Sequence, residues 1–141
     1  MAILGIGTDI VEVARIERLL RDKGDDFKAR VFTPAEIDYC RNKANPALHY
    51  AGRFAAKEAF MKAIGTGWAK GVGFGEIGVL NNDEGKPALH VSGEAKKVLD
   101  GFGPSFLWLS ISHTRQYATA TVIIESEADK PFRPPQAPYH V

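Results

Sequence analysis

One long helix constrains the fold of this chain more than any other feature of its sequence. Asn45-Pro46 places a common helix-capping residue before a proline, and proline is favoured at the first helical position. Gly65 is typical of the residue that ends a helix in the left-handed conformation. These signals predict a helix from Pro46 to about Ile64, the longest of the protein. A helix of this length depends on packing against other elements for its stability.

The sequence before this helix predicts a strand and two shorter helices. Ala2–Glu12 has the pattern of a buried strand that ends near Thr8-Asp9, and its two glycines predict a close backbone approach on one face. Apolar residues at helical spacing predict a helix from about Val11 to Gly24. Thr33-Pro34-Ala35-Glu36 is a capping box, so a short helix should follow it to about Asn42.

The second half of the chain predicts hairpins. The predicted elements are a strand from about Glu76 to Leu80, a turn at Asn82–Gly85, a strand Ala88–Val91, a helix from Ser92 to Gly101, and strands Leu107–Ser112 and Tyr117–Glu125. His113 then lies at a strand end. The expected fold class is α+β, with a mainly antiparallel sheet packed on one long and several short helices. We expect one domain over residues 1–125 and an extended, proline-rich tail over 126–141.

Composition narrows the possible classes of protein. The 141 residues are 45% hydrophobic and 25% charged, with a formal net charge of +1, which does not indicate a nucleic-acid-binding polyelectrolyte. Cys40 is the single cysteine, so no internal disulfide is possible. The first residues lack the pattern of a signal peptide, and no apolar run approaches the roughly 18 residues that cross a bilayer. We therefore expect a cytoplasmic protein that does not bind membranes.

Two acidic residues are candidates for metal binding. Glu58 lies four residues before Lys62 in the predicted long helix, so the two share a face. Such a pair is often an ordinary surface ion pair, worth roughly 0.3 kcal/mol. Asp9, at the predicted end of the first strand, either caps the following helix or serves as a metal ligand. Mg²⁺ is commonly held by one or two carboxylates together with phosphate oxygens, so Asp9 and Glu58 suit it if the fold brings them together.

Three segments resemble the motifs of a known family. Gly5–Ile10 (GIGTDI), Phe54–Lys62 (FAAKEAFMK) and Ser110–His113 (SISH) are similar, in order and spacing, to the three motifs of the holo-acyl-carrier-protein synthases. The similarity runs from about Ala2 to Glu125. It is most specific in Gly52–Gly67 (GRFAAKEAFMKAIGTG).

This resemblance implies an activity and a set of site residues. The family transfers the 4'-phosphopantetheine group from coenzyme A to a serine of apo acyl carrier protein, in support of fatty acid biosynthesis. By resemblance, Asp9 and Glu58 hold Mg²⁺, and Lys62 neutralises phosphate charge. His113 lies beside the diphosphate or the attacking serine, and Arg53 reaches the ribose phosphate of coenzyme A. The resemblance also implies a homotrimer with active sites between subunits.

A basic stripe on the first predicted helix is a candidate carrier-binding surface. Arg15, Arg18 and Arg21 recur every three residues, although the acidic residues among them are also typical of a solvated mixed-charge face. By resemblance, the arginines grip an acidic helix of the carrier protein. Arg15 matches the family position best.

Several points stay open at the level of sequence. The proton acceptor is Glu58, His113 or a water on the metal, and Thr114 stands where some relatives carry an acidic residue. The glycine-rich segment Gly65–Gly71 is either a flexible connection or a phosphate contact. Two other functions fit the same residues: a non-catalytic binder of coenzyme A or carrier protein, and a metal-dependent phosphoesterase.

Overall fold

A computed structural model describes residues 2–65 and 71–127 of the chain. The elements in chain order are β1 (Ile3–Glu12), α1 (Val13–Val31), α2 (Pro34–Arg41), α3 (Pro46–Ile64), a 3₁₀ turn (Phe74–Glu76), β2 (Ile77–Asn81), β3 (Pro87–Val91), α4 (Gly93–Asp100), β4 (Ser105–His113) and β5 (Tyr117–Ser126). Helices and antiparallel strands both contribute, so the predicted α+β class is confirmed.

The strands form two antiparallel sheets. The larger sheet has the order β1-β5-β4, and the smaller one pairs β2 with β3. Both predicted hairpins are present. Strand β4 includes His113, so three loop residues, 114–116, connect it to Tyr117 instead of the four that the predicted strand ends leave. Helix α3 packs across one face of the larger sheet, mainly on β1 and β5.

The strand register decides which side chains face α3. On β5 these are the buried residues Ala118, Ala120, Val122 and Ile124. Residues directly opposite each other in neighbouring strands project to the same face, so their partners on β1 also face the helix. Those partners are Gly5, Gly7, Asp9 and Val11. Two glycines are therefore followed by an aspartate along the line where β1 meets α3.

The two glycines allow the backbones of β1 and α3 to come into contact. A Cβ atom added to Gly7 would lie 1.9 Å from the carbonyl oxygen of Ala59, and one added to Gly5 would lie 2.3 Å from that of Ala63. No side chain fits at either position without moving the helix away from the strand. The close approach predicted from the glycines is present.

The helix ends follow the predicted capping chemistry in most cases. Thr33 and Glu36 form the reciprocal capping box at the start of α2. Gly65 ends α3 in the left-handed conformation. Asn45 precedes α3 as expected but makes no side-chain cap hydrogen bond. Ser92 makes none either; the carboxylate of Glu76 accepts the backbone N–H of Glu94 at that helix start instead.

Two predicted boundaries were wrong. Strand β1 continues past Asp9 to Glu12, because its pairing with β5 extends as far as Glu12 opposite Tyr117. Gly24 interrupts the first helix rather than ending it. Its φ of 50° breaks the helical path, and a second helical stretch then continues to Val31, where Phe27 and Val31 are buried. Burial of these apolar residues extends the helix beyond the glycine.

The opposite face of the larger sheet exposes several large apolar side chains. Ile6, Ile10 and Trp108 project from it and are 64%, 63% and 50% exposed. An apolar sheet face in water is unusual for a domain that stands alone. Among the described residues, none of the helices has both the length and the apolar character to cross a bilayer.

The predicted tail lies almost wholly outside the described residues. Strand β5 runs one residue past the predicted domain end at 125, to Ser126. Residues 128–141, and residues 66–70 of the glycine-rich segment, are outside the described part, so both of those interpretations stay predictions.

The contact between β1 and α3 gives a test of the fold. Gly7→Ala should lower the free energy of unfolding by about 1–3 kcal/mol or more, because the new methyl group overlaps backbone atoms that cannot turn aside. Denaturant unfolding measures this change. Gly75→Ala is the matched control, since a Cβ there meets nothing within 4 Å. It should stay within about 0.5 kcal/mol of the parent chain. Equal stability of the two variants would contradict the packing.

Candidate functional site

Asp9 and Lys62 meet where β1 crosses the C-terminal half of α3. The Nζ atom of Lys62 lies 3.0 Å from Oδ1 of Asp9 and also donates a hydrogen bond of 3.0 Å to the carbonyl oxygen of Thr8. The Asp9 side chain is 15% exposed and that of Lys62 is 55% exposed. Because α1 begins only at Val13, Asp9 does not cap it. The capping interpretation of Asp9 is therefore wrong.

Glu58 joins this pair as a second carboxylate. It lies one helical turn before Lys62 and is half-buried. Burial raises the pKa of Glu58, the negative charge of Asp9 raises it further, and Lys62 and Arg15 act in the opposite direction. Two carboxylates from distant parts of the sequence therefore lie close enough to influence each other, and the charge of Lys62 acts on both.

Arg15 lies beside this group rather than only on the outer stripe of α1. Its guanidinium carbon is 5.6 Å from the centroid of the Phe54 ring, and its charge lowers the pKa of Glu58. The side chains of Arg18 and Arg21 are exposed on the same helix, and Arg21 contacts the neighbouring Asp22. The basic stripe thus begins at the acidic site and runs outward along α1.

Arg53 belongs to a second group, toward the N-terminal half of α3. The side chain donates from Nη2 to Oδ1 of Asn81 at 2.5 Å, and the guanidinium carbon lies 3.9 Å from the Tyr39 ring centroid. Arg53 is 4% exposed, and its Nε has no hydrogen-bond partner within the described part of the chain. It lies about 140° around the helix from Glu58, so one chain does not bring these two residues together.

His113 lies at the end of β4, exposed and close to the second group. Its ring centroid is 6.1 Å from that of His49, which lies 5.9 Å from the Tyr39 ring. Burial lowers the pKa of His49, and the positive charges of Lys43 and Arg53 lower it further. In the register of the sheet, His113 and Asp9 face the same side, on the two strands that flank β5.

Sequence reasoning missed a buried ion pair beneath the site. Lys57 and Glu36 are both fully buried, with Nζ of Lys57 2.7 Å from Oε1 of Glu36. Burial lowers the pKa of Lys57, and the charge and hydrogen bond of Glu36 oppose this change. The capping box located Glu36, and Lys57 stands inside a strongly apolar stretch. Neither sequence pattern shows that Glu36 and Lys57 pair with each other.

The oxygen donors at the first group suit Mg²⁺. Two carboxylates converge there, and Mg²⁺ completes its coordination with phosphate oxygens and water. Across residues 2–65 and 71–127, there is no cluster of three or more His, Cys, Asp or Glu side chains that would enclose a metal on their own. An Mg²⁺ ion held by Asp9 and Glu58 would complete its coordination with water and with oxygens such as those of a phosphate group.

Comparison with known proteins decides the family. The sequence pattern of the 4'-phosphopantetheinyl transferase superfamily matches residues 5–122. A holo-[acyl-carrier-protein] synthase of Koribacter versatilis is 50% identical over 123 residues, which are 87% of this chain and 98% of that protein. This chain belongs to the 4'-phosphopantetheinyl transferase superfamily. Within that superfamily it is similar to the holo-acyl-carrier-protein synthases, which confirms the resemblance of the three motifs and the enzyme class.

Solved structures of holo-acyl-carrier-protein synthases share the fold. The enzyme from Neisseria meningitidis matches with a TM-score of 0.81 at 40% identity, covering 89% of this chain and all (100%) of that one. The enzyme from Bacillus anthracis, solved in complex with CoA (3',5'-ADP), matches with a TM-score of 0.73 at 41% identity. This second match covers 89% of this chain and 98% of that one.

The charge coupling at this transferase site can be measured directly. In metal-free protein, Asp9→Asn should lower the pKa of Glu58, because it removes a neighbouring negative charge. Lys62→Met should raise that pKa, because it removes a positive one. A carboxyl-carbon NMR titration reports both changes. Lys97→Met, which removes an exposed lysine from α4, is the control and should leave the Glu58 titration unchanged. If Asp9→Asn also leaves it unchanged, the two carboxylates do not converge.

Proposed function

We propose that this chain transfers the 4'-phosphopantetheine group of coenzyme A to a serine of apo acyl carrier protein, with Mg²⁺ bound at Asp9 and Glu58. The observation that carries the proposal is the meeting of these carboxylates and Lys62 across the β1–α3 contact. Membership of the transferase superfamily supports the reaction class. The complex of the similar Bacillus anthracis enzyme supports coenzyme A as the donor.

The reaction is a displacement at phosphorus. The carrier serine Oγ forms a bond to the β-phosphorus of coenzyme A, the bond from that phosphorus to the bridging oxygen breaks, and 3',5'-ADP leaves. The bound Mg²⁺ would supply positive charge to the phosphate oxygens. Lys62 is half-exposed and already paired with a carboxylate, so its ammonium group is placed to share the phosphate charge. Most of the acceleration then comes from positioning and electrostatics.

The serine proton needs an acceptor, and two side chains of this chain are candidates. Glu58 is one candidate because its carboxylate lies at the site beside Asp9 and Lys62. His113 is exposed at the end of β4 with its imidazole close to His49. Both roles stay part of the proposal.

Arg53 and the basic stripe are assigned to the two substrates. Arg53 contacts Asn81 and Tyr39, and the resemblance to the family assigns it to the ribose phosphate of coenzyme A. Arg15, Arg18 and Arg21 are assigned to the carrier protein. Arg15 lies between the stripe and Glu58, so an acidic carrier helix docked on α1 would bring its serine toward the carboxylates.

The decisive test is intact mass spectrometry of apo carrier protein after incubation with this chain, coenzyme A and Mg²⁺. A mass increase of one phosphopantetheine group is expected with the parent chain. Glu58→Gln should stay folded and lose nearly all turnover, because it removes a metal-binding carboxylate. Glu84→Gln, in the exposed turn between β2 and β3, is the matched control and should keep full activity.

Two other results of this experiment would replace the proposal. Tight binding of coenzyme A or carrier protein with no modified serine would identify a binding protein. Release of nucleotide or phosphate from coenzyme A without any acceptor would identify a phosphoesterase that uses the same carboxylates.

The active form is assigned as a homotrimer with sites shared between subunits. Supporting this, the outer sheet face exposes Ile6, Ile10 and Trp108, a surface that a second copy of the chain would cover. The separation of Arg53 from Glu58 within one chain also agrees with a site completed by a neighbour. A cytoplasmic location and a role in fatty acid biosynthesis stay predictions.

The oligomer can be tested at the outer sheet face. Ile10→Glu should give a monomer by light scattering, because it places a charge on the apolar surface that subunits would bury. If sites are shared, transferase activity should fall with the loss of the oligomer. An Ile10→Glu protein that stays trimeric would place the interface elsewhere, and an active monomer would rule out shared sites.

A further inference from the structure

The ion pair between Lys57 and Glu36 lies directly behind the site residues. Lys57 is the residue before Glu58 in α3, and its side chain is fully buried. Glu36 reaches it from the first turn of α2, and its side chain is also fully buried. Because neither side chain is open to solvent, the pair is not placed to meet a substrate, and it needs its own explanation.

Every hydrogen of the Lys57 ammonium group has an acceptor. Nζ donates to Oε1 of Glu36 at 2.7 Å and to the carbonyl oxygens of Phe74 at 3.0 Å and Ile77 at 2.7 Å. These acceptors belong to three different elements: α2, the 3₁₀ turn and the start of β2. One lysine therefore ties the middle of α3 to three neighbouring segments.

Glu36 is equally well connected. Its Oε1 also accepts the backbone N–H of Thr33 at 2.7 Å, and its Oε2 accepts that of Val79 at 3.0 Å. The carboxylate thus links the start of α2 to β2 as well as to α3. A network with all its members satisfied is rigid, since no group can move without leaving a buried donor or acceptor unpaired.

The close contact with Gly5 and Gly7 selects the face of α3 that meets β1, but the rest of the helix has no polar face that would fix its rotation. From Tyr50 to Met61 the helix is buried all round except at Glu58, and many of its residues are alanine. A helix without a distinct polar face lacks the usual pattern that selects which side meets the core. The hydrogen bonds of Lys57 and Arg53 are directional, so they restrain the rotation of the helix. The contact from Lys57 is next to Glu58.

Stability alone is a weak reason for such a pair. Removing two charges from water is costly, and well-packed apolar residues often replace a buried ion pair with no loss of stability. What a fully hydrogen-bonded pair adds is a single defined geometry. A defined geometry at Lys57 also fixes the direction in which the neighbouring residue, Glu58, projects from α3.

We propose that the buried Lys57–Glu36 pair is a positioning device that sets the rotation of α3 and so aims Glu58 at the metal shared with Asp9. This inference rests on the proposed function. Lys57 and Glu36 act through Glu58 and touch neither the metal nor the substrates. Their loss should therefore weaken metal binding and turnover more than it weakens the fold.

The test uses the full chain with Lys57→Met and Glu36→Gln combined. Methionine keeps the unbranched shape of lysine, and glutamine can still accept from Thr33 or Val79 and donate to a carbonyl group that Lys57 releases. Mn²⁺ is the probe, and its binding in the presence of coenzyme A is followed by electron paramagnetic resonance. The melting temperature and the kinetic constants for apo carrier protein are measured on the same samples.

The expected result separates positioning from stability. Mn²⁺ affinity and kcat should each fall about 10- to 100-fold, as is typical for residues that orient metal ligands. The KM for carrier protein and the melting temperature should stay close to those of the parent chain. Lys96→Met breaks the exposed Lys96–Asp100 pair on α4 and is the matched control. It should change none of these quantities.

Three results would overturn the inference. A folded double variant with unchanged Mn²⁺ affinity and kcat shows that the pair does not position Glu58. A loss of kcat that is matched by a lower melting temperature, and recovered on cooling, shows a purely structural role. If the parent chain itself neither binds Mn²⁺ nor modifies carrier protein, the proposed function fails, and this inference fails with it.

A second variant covers the case in which the double variant does not fold. Glu36→Asp keeps the charge and withdraws the carboxylate by one methylene group, so it should retain the fold while shifting Lys57. A measurable loss of Mn²⁺ affinity with an unchanged KM for carrier protein supports positioning. Full Mn²⁺ affinity in Glu36→Asp contradicts it.

Discussion

The contact between the backbones of β1 and α3 is the constraint on which the rest of this structure depends. Gly5 and Gly7 have no side chains to hold the helix away, and the carbonyl groups of Ala59 and Ala63 occupy the space where Cβ atoms would stand. The next residue on the same face of β1 is Asp9. The strand therefore delivers a carboxylate to the helix at the level of Lys62, and that places two acidic groups within range of each other.

The site brings the two carboxylates close to two basic side chains, Lys62 and Arg15. Two carboxylates share one close lysine, and burial and the charge of Asp9 raise the pKa of Glu58. The hard carboxylate oxygens of such a group suit the proposed Mg²⁺. The same region carries Arg15 on its outer side. Acidic and basic side chains thus lie side by side, an arrangement that suits the proposed transfer of a phosphoryl-linked group.

The two faces of the larger sheet have different surroundings. One face packs on α3 and orients the site residues, and the other exposes Ile6, Ile10 and Trp108 to the outside. Because adjacent residues of a strand point to opposite faces, a single strand serves both purposes. In β1, Asp9 belongs to the site while Ile10 belongs to the outer surface. This alternation supports the proposed link between assembly and activity.

Local chemistry in the sequence was enough to predict much of the fold. The capping box at Thr33–Glu36, the left-handed glycine at position 65 and the two hairpins all act within a few residues, so they are visible without the fold. The three motifs were enough to identify the family, and their order pointed to Asp9, Glu58 and Lys62 as a group. The end of β1 and the continuation of α1 past Gly24 were mispredicted, since pairing with β5 and burial of Phe27 and Val31 decide them.

What the sequence by itself determined is therefore the set of elements, the family and the identity of the charged residues near the site. Only the tertiary structure decided which of those charges meet. Glu36 and Lys57 are 21 residues apart, and Lys62 and Asp9 are 53 apart, so nothing local links them. Pairing across such distances exists only after the helices and strands have packed, because packing alone brings the charges within range and removes the water between them.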